Sequence, residues 1–190
     1  QNSELGNAYL LNAINVDKNN PIAFNNIGAS YLDQNKFKEA ITFFKKAQKA
    51  DKNFVYSYIN LGSAYAFIDD HSKALKNFYK VIDLDPNIIE AYSNIAGVLN
   101  KQKEFDKAEE FCKKALRINP DDVNTLCNLG TSLIEQKKYK EAEKVLEKSI
   151  KLDPKHIKSI YNYGIALTNI NKFFKAKKAY MKAIDIQSLI

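Results

Sequence analysis

A period of 34 residues runs through this chain and limits what it can fold into. Gly28, Gly62, Gly130 and Gly164 lie one, two and one steps of 34 apart. Pro86, Pro120 and Pro154 keep the same step, as do Ala40, Ala74, Ala108, Ala142 and Ala176. Three residue types locked to one long period mean copies of a single supersecondary unit, none able to bury its apolar face alone. The frame divides the 190 residues into 21–54, 55–88, 89–122, 123–156 and 157–190, with 1–20 as the second half of an earlier unit.

Each unit reads as two helices. Phe24, Ile27 and Tyr31, or Tyr58, Leu61 and Tyr65, recur at helical spacing. A short polar break follows, such as Gln34-Asn35-Lys36 or Asp69-Asp70, and Asn and Asp tolerate the left-handed backbone of a tight turn. A second periodic stretch comes next: Phe37, Ala40, Ile41, Phe44, Ala47. Asp85-Pro86, Asn119-Pro120 and Asp153-Pro154 then stop it, because proline disfavours helix in the residue before it. Asn20-Pro21 reads as a helix start with Pro at its first position. Gly28 and Ala40 are placed where the helices of one hairpin cross and a larger side chain would push them apart.

These anchors resemble the tetratricopeptide repeat. Unit 55–88 supplies Tyr58, Leu61-Gly62, Tyr65, Ala74, Phe78 and Pro86, with Val81 for the second alanine. Unit 123–156 supplies Leu126, Leu129-Gly130, Ala142, Leu146 and Pro154, with Ser149 in that place. The resemblance implies an all-α, right-handed superhelical solenoid of antiparallel helix-turn-helix repeats, the first helix of each lining a concave surface. It also implies a protein-interaction module. Unit 89–122 departs from the pattern: its glycine, in Ala96-Gly97, comes one place late, and Cys112 replaces the bulky residue seen as Phe44 and Phe78, so looser packing is expected there. Lys52 stands where later units carry Pro86.

No catalytic constellation is present: no nucleophile elbow, P-loop or dinucleotide fingerprint. His71 takes the place held elsewhere by Phe37, Phe105, Tyr139 and Phe173 and reads as a packing residue. His156 falls in an inter-repeat turn and reads as solvated. Cys112 and Cys127 lack the further ligands of a metal site and read as reduced thiols. The sequence therefore predicts neither an enzyme nor a cofactor.

The inner wall carries the functional signal. The sixth place of the five units reads Asn26, Asn60, Asn94, Asn128 and Asn162. Asparagine is a middling helix former, so five in register mid-helix need a reason. An amide offers a donor and an acceptor together, which is what the backbone of an extended peptide requires. The row is similar to the asparagine ladder of O-GlcNAc transferase-type superhelices. Neighbouring places, Tyr56, Ile59 and Phe67 in one unit and Cys127, Ile134, Tyr161 and Ile165 further on, are candidates for apolar pockets.

Charge excludes one partner class from that wall. The net charge is +7, but the first helices hold few charged residues and the lysines sit on second helices and turns, as in Lys45-Lys46, Lys113-Lys114 and Lys177-Lys178. Phosphate backbone would want a basic lining, so nucleic acid is not expected in the groove. Arg117, the one arginine, is on a second helix, so the carboxylate clamp by which some family members hold chaperone tails is incomplete. The expected partner is a protein or peptide, with two rivals: a substrate-presenting region of a larger enzyme, such as a glycosyltransferase, and a basic outer face that docks an acidic partner, membrane or nucleic acid. The sequence shows no apolar run long enough for a membrane span, no signal peptide and no initiator Met; a cytoplasmic piece of a longer protein, or a processed product, is expected. Leu5, Leu10 and Ile14 at one end, and Tyr180, Ala183, Ile184 and Ile186 at the other, lack the neighbours a repeat normally supplies, which predicts either end-to-end self-association or a parent that continues in both directions with more repeats.

Overall fold

A computed structural model describes residues 19–188. Among these, ten α-helices and no strands occur. They are α1 (Pro21–Asp33), α2 (Phe37–Ala50), α3 (Val55–Phe67), α4 (His71–Leu84) and α5 (Ile89–Lys101). They continue as α6 (Phe105–Ile118), α7 (Val123–Glu135), α8 (Tyr139–Leu152), α9 (Ile157–Asn169) and α10 (Phe173–Gln187). The chain divides into two compact units, residues 1–91 and 92–190. Leu5, Leu10 and Ile14 lie outside the described residues.

Every hairpin turns in the same way. Asn35, Asp69, Lys103, Lys137 and Asn171, one period apart, all have φ between 57° and 63°. At the first turn the Asn35 amide donates to the Leu32 carbonyl and the Lys36 amide to that of Tyr31, both at 2.9 Å. At the fourth, Lys137 donates to Ile134 and Lys138 to Leu133. This is the Schellman pattern, which satisfies carbonyls left open at a helix end. Asn and Asp suit the left-handed position, whereas the two lysines take it without local chemical help.

The turns between hairpins share a different device. Asp51, Asp85, Asn119 and Asp153 each accept, through side-chain Oδ1, the amide of the residue two places on, at 2.8 to 3.0 Å. Asp51 does so although Lys52 follows it. The Asx turn, not the proline after it, is therefore the common stop. Helix starts are capped where a side chain allows. Asn20 accepts from the Ala23 amide at 2.9 Å, Asp70 from Lys73 at 3.2 Å and Asp122 from Thr125 at 2.7 Å. His156 belongs to this group and is not solvated as expected. It is half-buried, its Nδ1 accepts the Ser159 amide at 3.3 Å, and burial holds its pKa below the ordinary value.

In residues 1–91 the hairpin α1–α2 closes over Gly28, where a Cβ would lie 2.5 Å from the Phe44 ring. The hairpin α3–α4 repeats this with Gly62 and Phe78, again at 2.5 Å. Both rings are buried, so glycine is required for the close approach. Between the hairpins Phe37 stacks on Phe67 at 5.6 Å and the Gln48 amide donates to Asn77 Oδ1 at 3.0 Å. Ile59, Val81 and Ala91 form a core, with Val55, Tyr58, Ile82 and Ile88 packed against it.

In residues 92–190 the same contact joins Gly130 to Leu146 and Gly164 to Tyr180, each with an atom 2.5 Å from the position of a Cβ. Unit 89–122 solves the crossing differently. Ala96 replaces the glycine and Cys112 the large side chain, and both are fully buried. A methyl gained on one helix offsets part of the volume lost on the other, and the crossing stays closed to solvent. Ser149, where three other repeats have alanine, and Ser159, where two do, share a hydroxyl–hydroxyl hydrogen bond of 2.7 Å. Ion pairs brace successive second helices. Glu143 accepts from Lys172 at 2.7 and 2.8 Å, and one period earlier Glu109 accepts from Lys138 at 2.9 Å. Glu109 also accepts from Gln136 at 2.9 Å and Lys113 at 2.6 Å. Burial raises its pKa, but these donors outweigh it and hold the carboxyl down to about 2.

Candidate functional site

The first helices carry the asparagine row, and the structure gives the amides a task that the sequence did not reveal. Asn60 Nδ2 donates to Asn25 Oδ1 of the preceding first helix at 2.9 Å. Asn128 Nδ2 donates to the Ser93 carbonyl at 3.0 Å, and Asn162 Nδ2 to Thr131 Oγ1 at 2.9 Å. Each amide thus ties its own first helix to the one before. Asn100 joins this network. Its Nδ2 donates to the Asn128 carbonyl at 2.9 Å, and its Oδ1 accepts from Ser132 at 2.8 Å. Asn25, Ser93, Asn100 and Thr131 are partners that the sequence reading missed. No single column of the repeat holds them, because the preceding helix offers whichever acceptor its local residue supplies.

One bond does not exhaust an amide. Nδ2 carries a second hydrogen, and Oδ1 has two lone pairs. The brace fixes the side-chain rotamer and so pre-orients the remaining donor and acceptor. Exposure grades along the row: Asn26 is exposed, Asn60, Asn94 and Asn128 are half-buried, and Asn162 is buried. Lys158 Nζ reaches Asn128 Oδ1 at 3.5 Å.

The apolar candidates separate into two groups. Tyr56, Phe67 and Tyr161 are 63%, 63% and 54% exposed. Phe67 has one ring face covered by Phe37, Tyr56 leans against Phe54 at 5.8 Å, and Tyr161 against Tyr180 at 5.6 Å. Ile165 is half-buried. Ile59, Cys127 and Ile134 do not line an accessible wall, because they are buried. Ile59 is committed to the core with Val81 and Ala91. Ile59, Cys127 and Tyr161 hold the same place of the repeat, yet only the tyrosine emerges; Ile59 is covered by Ala91 of the next first helix. Periodicity identifies a position, but the neighbouring helix decides whether it surfaces.

Burial suppresses the reactivity of the two thiols. Cys112 and Cys127 are free and buried, and burial pushes the Cys112 thiol up to about 12 and raises that of Cys127. Thiols held protonated are poor nucleophiles. His71 Nδ1 is buried without a hydrogen-bond partner, as fits its place among aromatic packing residues. Among the described residues no helix is long and apolar enough to cross a membrane. On α10, Tyr180 and Ile186 are half-buried and Ala183 is buried, whereas Ile184 is 65% exposed.

Sequence profiles of the tetratricopeptide repeat match residues 21–54, 55–88, 87–155 and 157–188. The chain belongs to the tetratricopeptide repeat family. Solved structures agree on the fold. MamA of Desulfovibrio magneticus RS-1 superposes with a TM-score of 0.72 at 23% identity, covering 88% of this chain and 95% of that one. YrrB, described as a tetratricopeptide repeat protein with an unusual peptide-binding site, gives 0.67 at 23% identity, covering 94% and 92%. The Cut9–Hcn1 hetero-tetramer of APC/C gives 0.88 at 16% identity over 95% of this tetratricopeptide array and 36% of that chain. Curated protein sequences gave no match.

Proposed function

We propose that this tetratricopeptide array is a scaffold whose first-helix side grips an extended segment of a partner protein through its backbone. One observation carries the reading: Asn60 and Asn128, both half-buried, are each held in place by a bond to the preceding helix, with donor and acceptor capacity left over. Amides already ordered lose little entropy when they meet a peptide. Tyr56 and Phe67 on the helix of Asn60, within residues 1–91, and Tyr161, within residues 92–190, each add exposed aromatic area where a segment's side chains would rest. The description of YrrB as peptide-binding agrees with such a role. The function requires no catalysis by this chain.

The test begins with twelve-residue peptides selected from a displayed random library on the purified chain. Asn60→Ala with Asn128→Ala should weaken the selected peptides about five- to a hundredfold, from about 0.5–1.5 kcal/mol per lost hydrogen bond. N-methylation of alternate peptide amides should weaken them comparably, since it removes backbone donors and spares side chains. A melting curve at the assay temperature separates this from the loss of the inter-helix brace. Peptides that bind a folded double variant unchanged, or tolerate N-methylation, would overturn the proposal.

A further inference from the structure

The second helices carry a column that the asparagine row has overshadowed. Lys46, Lys80, Lys114, Lys148 and Lys182 stand one period apart. Three of them are occupied. Lys46 lies over the Phe43 ring at 4.6 Å, Lys114 pairs with Glu110 at 2.7 Å, and Lys148 pairs with Asp121 at 2.8 Å. Lys80 and Lys182 have no carboxylate within ion-pair distance among the described residues. In their two repeats alone, lysines also stand seven and four places earlier: Lys73 and Lys76 on α4, Lys175 and Lys178 on α10.

Both triads border a groove at the same place in the repeat. The first, of about 690 Å³, lies among α2, α3 and α4 and has Tyr58, Leu61 and Tyr65 along its floor. The second, of about 260 Å³, lies among α8, α9 and α10 and has Ile150, Ile160 and Tyr163 there. Lysines at i, i+3 and i+7 share one helix face and span about 10 Å, roughly two turns. Lys73 is engaged by Asp70 at 2.5 Å and Asp83 lines one side of the first groove, so its charge is carried by Lys45, Lys76 and Lys80; in the second groove Lys178 lies over the Phe174 ring at 4.6 Å, which leaves Lys175 and Lys182.

We infer that each groove is a docking site for an acidic amphipathic helix of a partner protein, carboxylates against these lysines and apolar side chains toward the floor. A helix laid along the groove repeats its charges at the spacing the triad presents. Nucleic acid fits less well. Stacking would need open aromatic faces, yet Lys45 and Lys73 lie over the Tyr65 ring at 5.9 and 5.3 Å, and the Tyr58 hydroxyl donates to the Lys52 carbonyl at 3.0 Å. A bilayer surface fits less well too, because the apolar floor is recessed: Leu61 is 2% and Ile160 1% exposed. This site does not use the asparagine row and does not depend on the reading given for it.

The probe is a fluorescein-labelled helical peptide of eighteen residues with Glu at i, i+3 and i+7 and Leu on the opposite face, followed by anisotropy. Lys76→Glu with Lys80→Glu should remove one of the two sites and halve the binding stoichiometry, and adding Lys175→Glu with Lys182→Glu should abolish binding. All four side chains are exposed, so the melting temperature should hold, and the Gln versions of the same changes check that charge is the cause. Asn60→Ala with Asn128→Ala should leave this affinity unchanged. A scrambled peptide of equal charge should bind at least tenfold more weakly. Equal binding of the scrambled peptide, tighter binding of a 20-nucleotide single strand or of phosphatidylserine vesicles, or indifference to the four reversals would overturn the inference.

Discussion

Gly130→Ala tests the idea that the hairpin crossing is a volume account shared by two residues. A Cβ at that position would lie 2.5 Å from Leu146 Cγ, and Leu146 is fully buried and cannot withdraw. Overpacking of this kind costs about 1–3 kcal/mol, partly offset by the roughly 1 kcal/mol that alanine gains over glycine in a helix. The net loss should be about 1–2 kcal/mol. Leu146→Cys alone removes two carbon-sized groups from a closed core, a loss of about 2–3 kcal/mol. The double variant recreates the arrangement of Ala96 with Cys112, which the chain already uses with both residues fully buried. It should therefore lose at least about 1.5 kcal/mol less than the sum of the singles. Urea denaturation followed by far-ultraviolet circular dichroism measures all four corners of the cycle. Additivity within about 0.5 kcal/mol would refute the shared-volume account.

Two further outcomes follow from single sites. Lys103→Gly and Lys137→Gly relieve left-handed lysines with φ of 63° and 61°, so each should raise stability by about 0.5–1 kcal/mol in a thermal melt, the relief exceeding glycine's extra unfolded-state entropy; Asn35→Gly should gain less, and equal or lower stability of the lysine variants would count against strain at these turns. Glu109 is held at about 2 against an ordinary 4.5, so the stability it contributes is present above pH 4.5 and lost as pH falls through 2. The difference in melting between the chain and its Glu109→Gln variant should be about 2 kcal/mol at pH 7, after discounting screening at the exposed lysines, and should vanish near pH 2. A difference that does not change with pH would show that the carboxylate's charge is not what the brace uses.

The period of 34 residues determined that the chain is an all-α array of hairpins, because residue type recurs only where the same steric demand recurs. Gly28, Gly62, Gly130 and Gly164 mark close crossings that no side chain could share, and the polar breaks mark the left-handed turns. The asparagine row and the lysine column were equally legible as columns. Their partners were not. Asn60 finds Asn25 and Asn128 finds the Ser93 carbonyl because stacking brings these atoms within 3.0 Å, a relation between helices that spacing along one chain does not encode. Depth was hidden for the same reason. Ile59, Cys127 and Tyr161 share a repeat position, and only packing against the neighbouring helix decides that two are buried and one emerges. His156 looked like a turn residue and became a helix cap, since its role depends on the direction of its ring relative to the Ser159 amide. Sequence sets which side chains recur; the tertiary structure sets which atoms they meet, because contact distance is a property of the packed helices and not of the interval between residues.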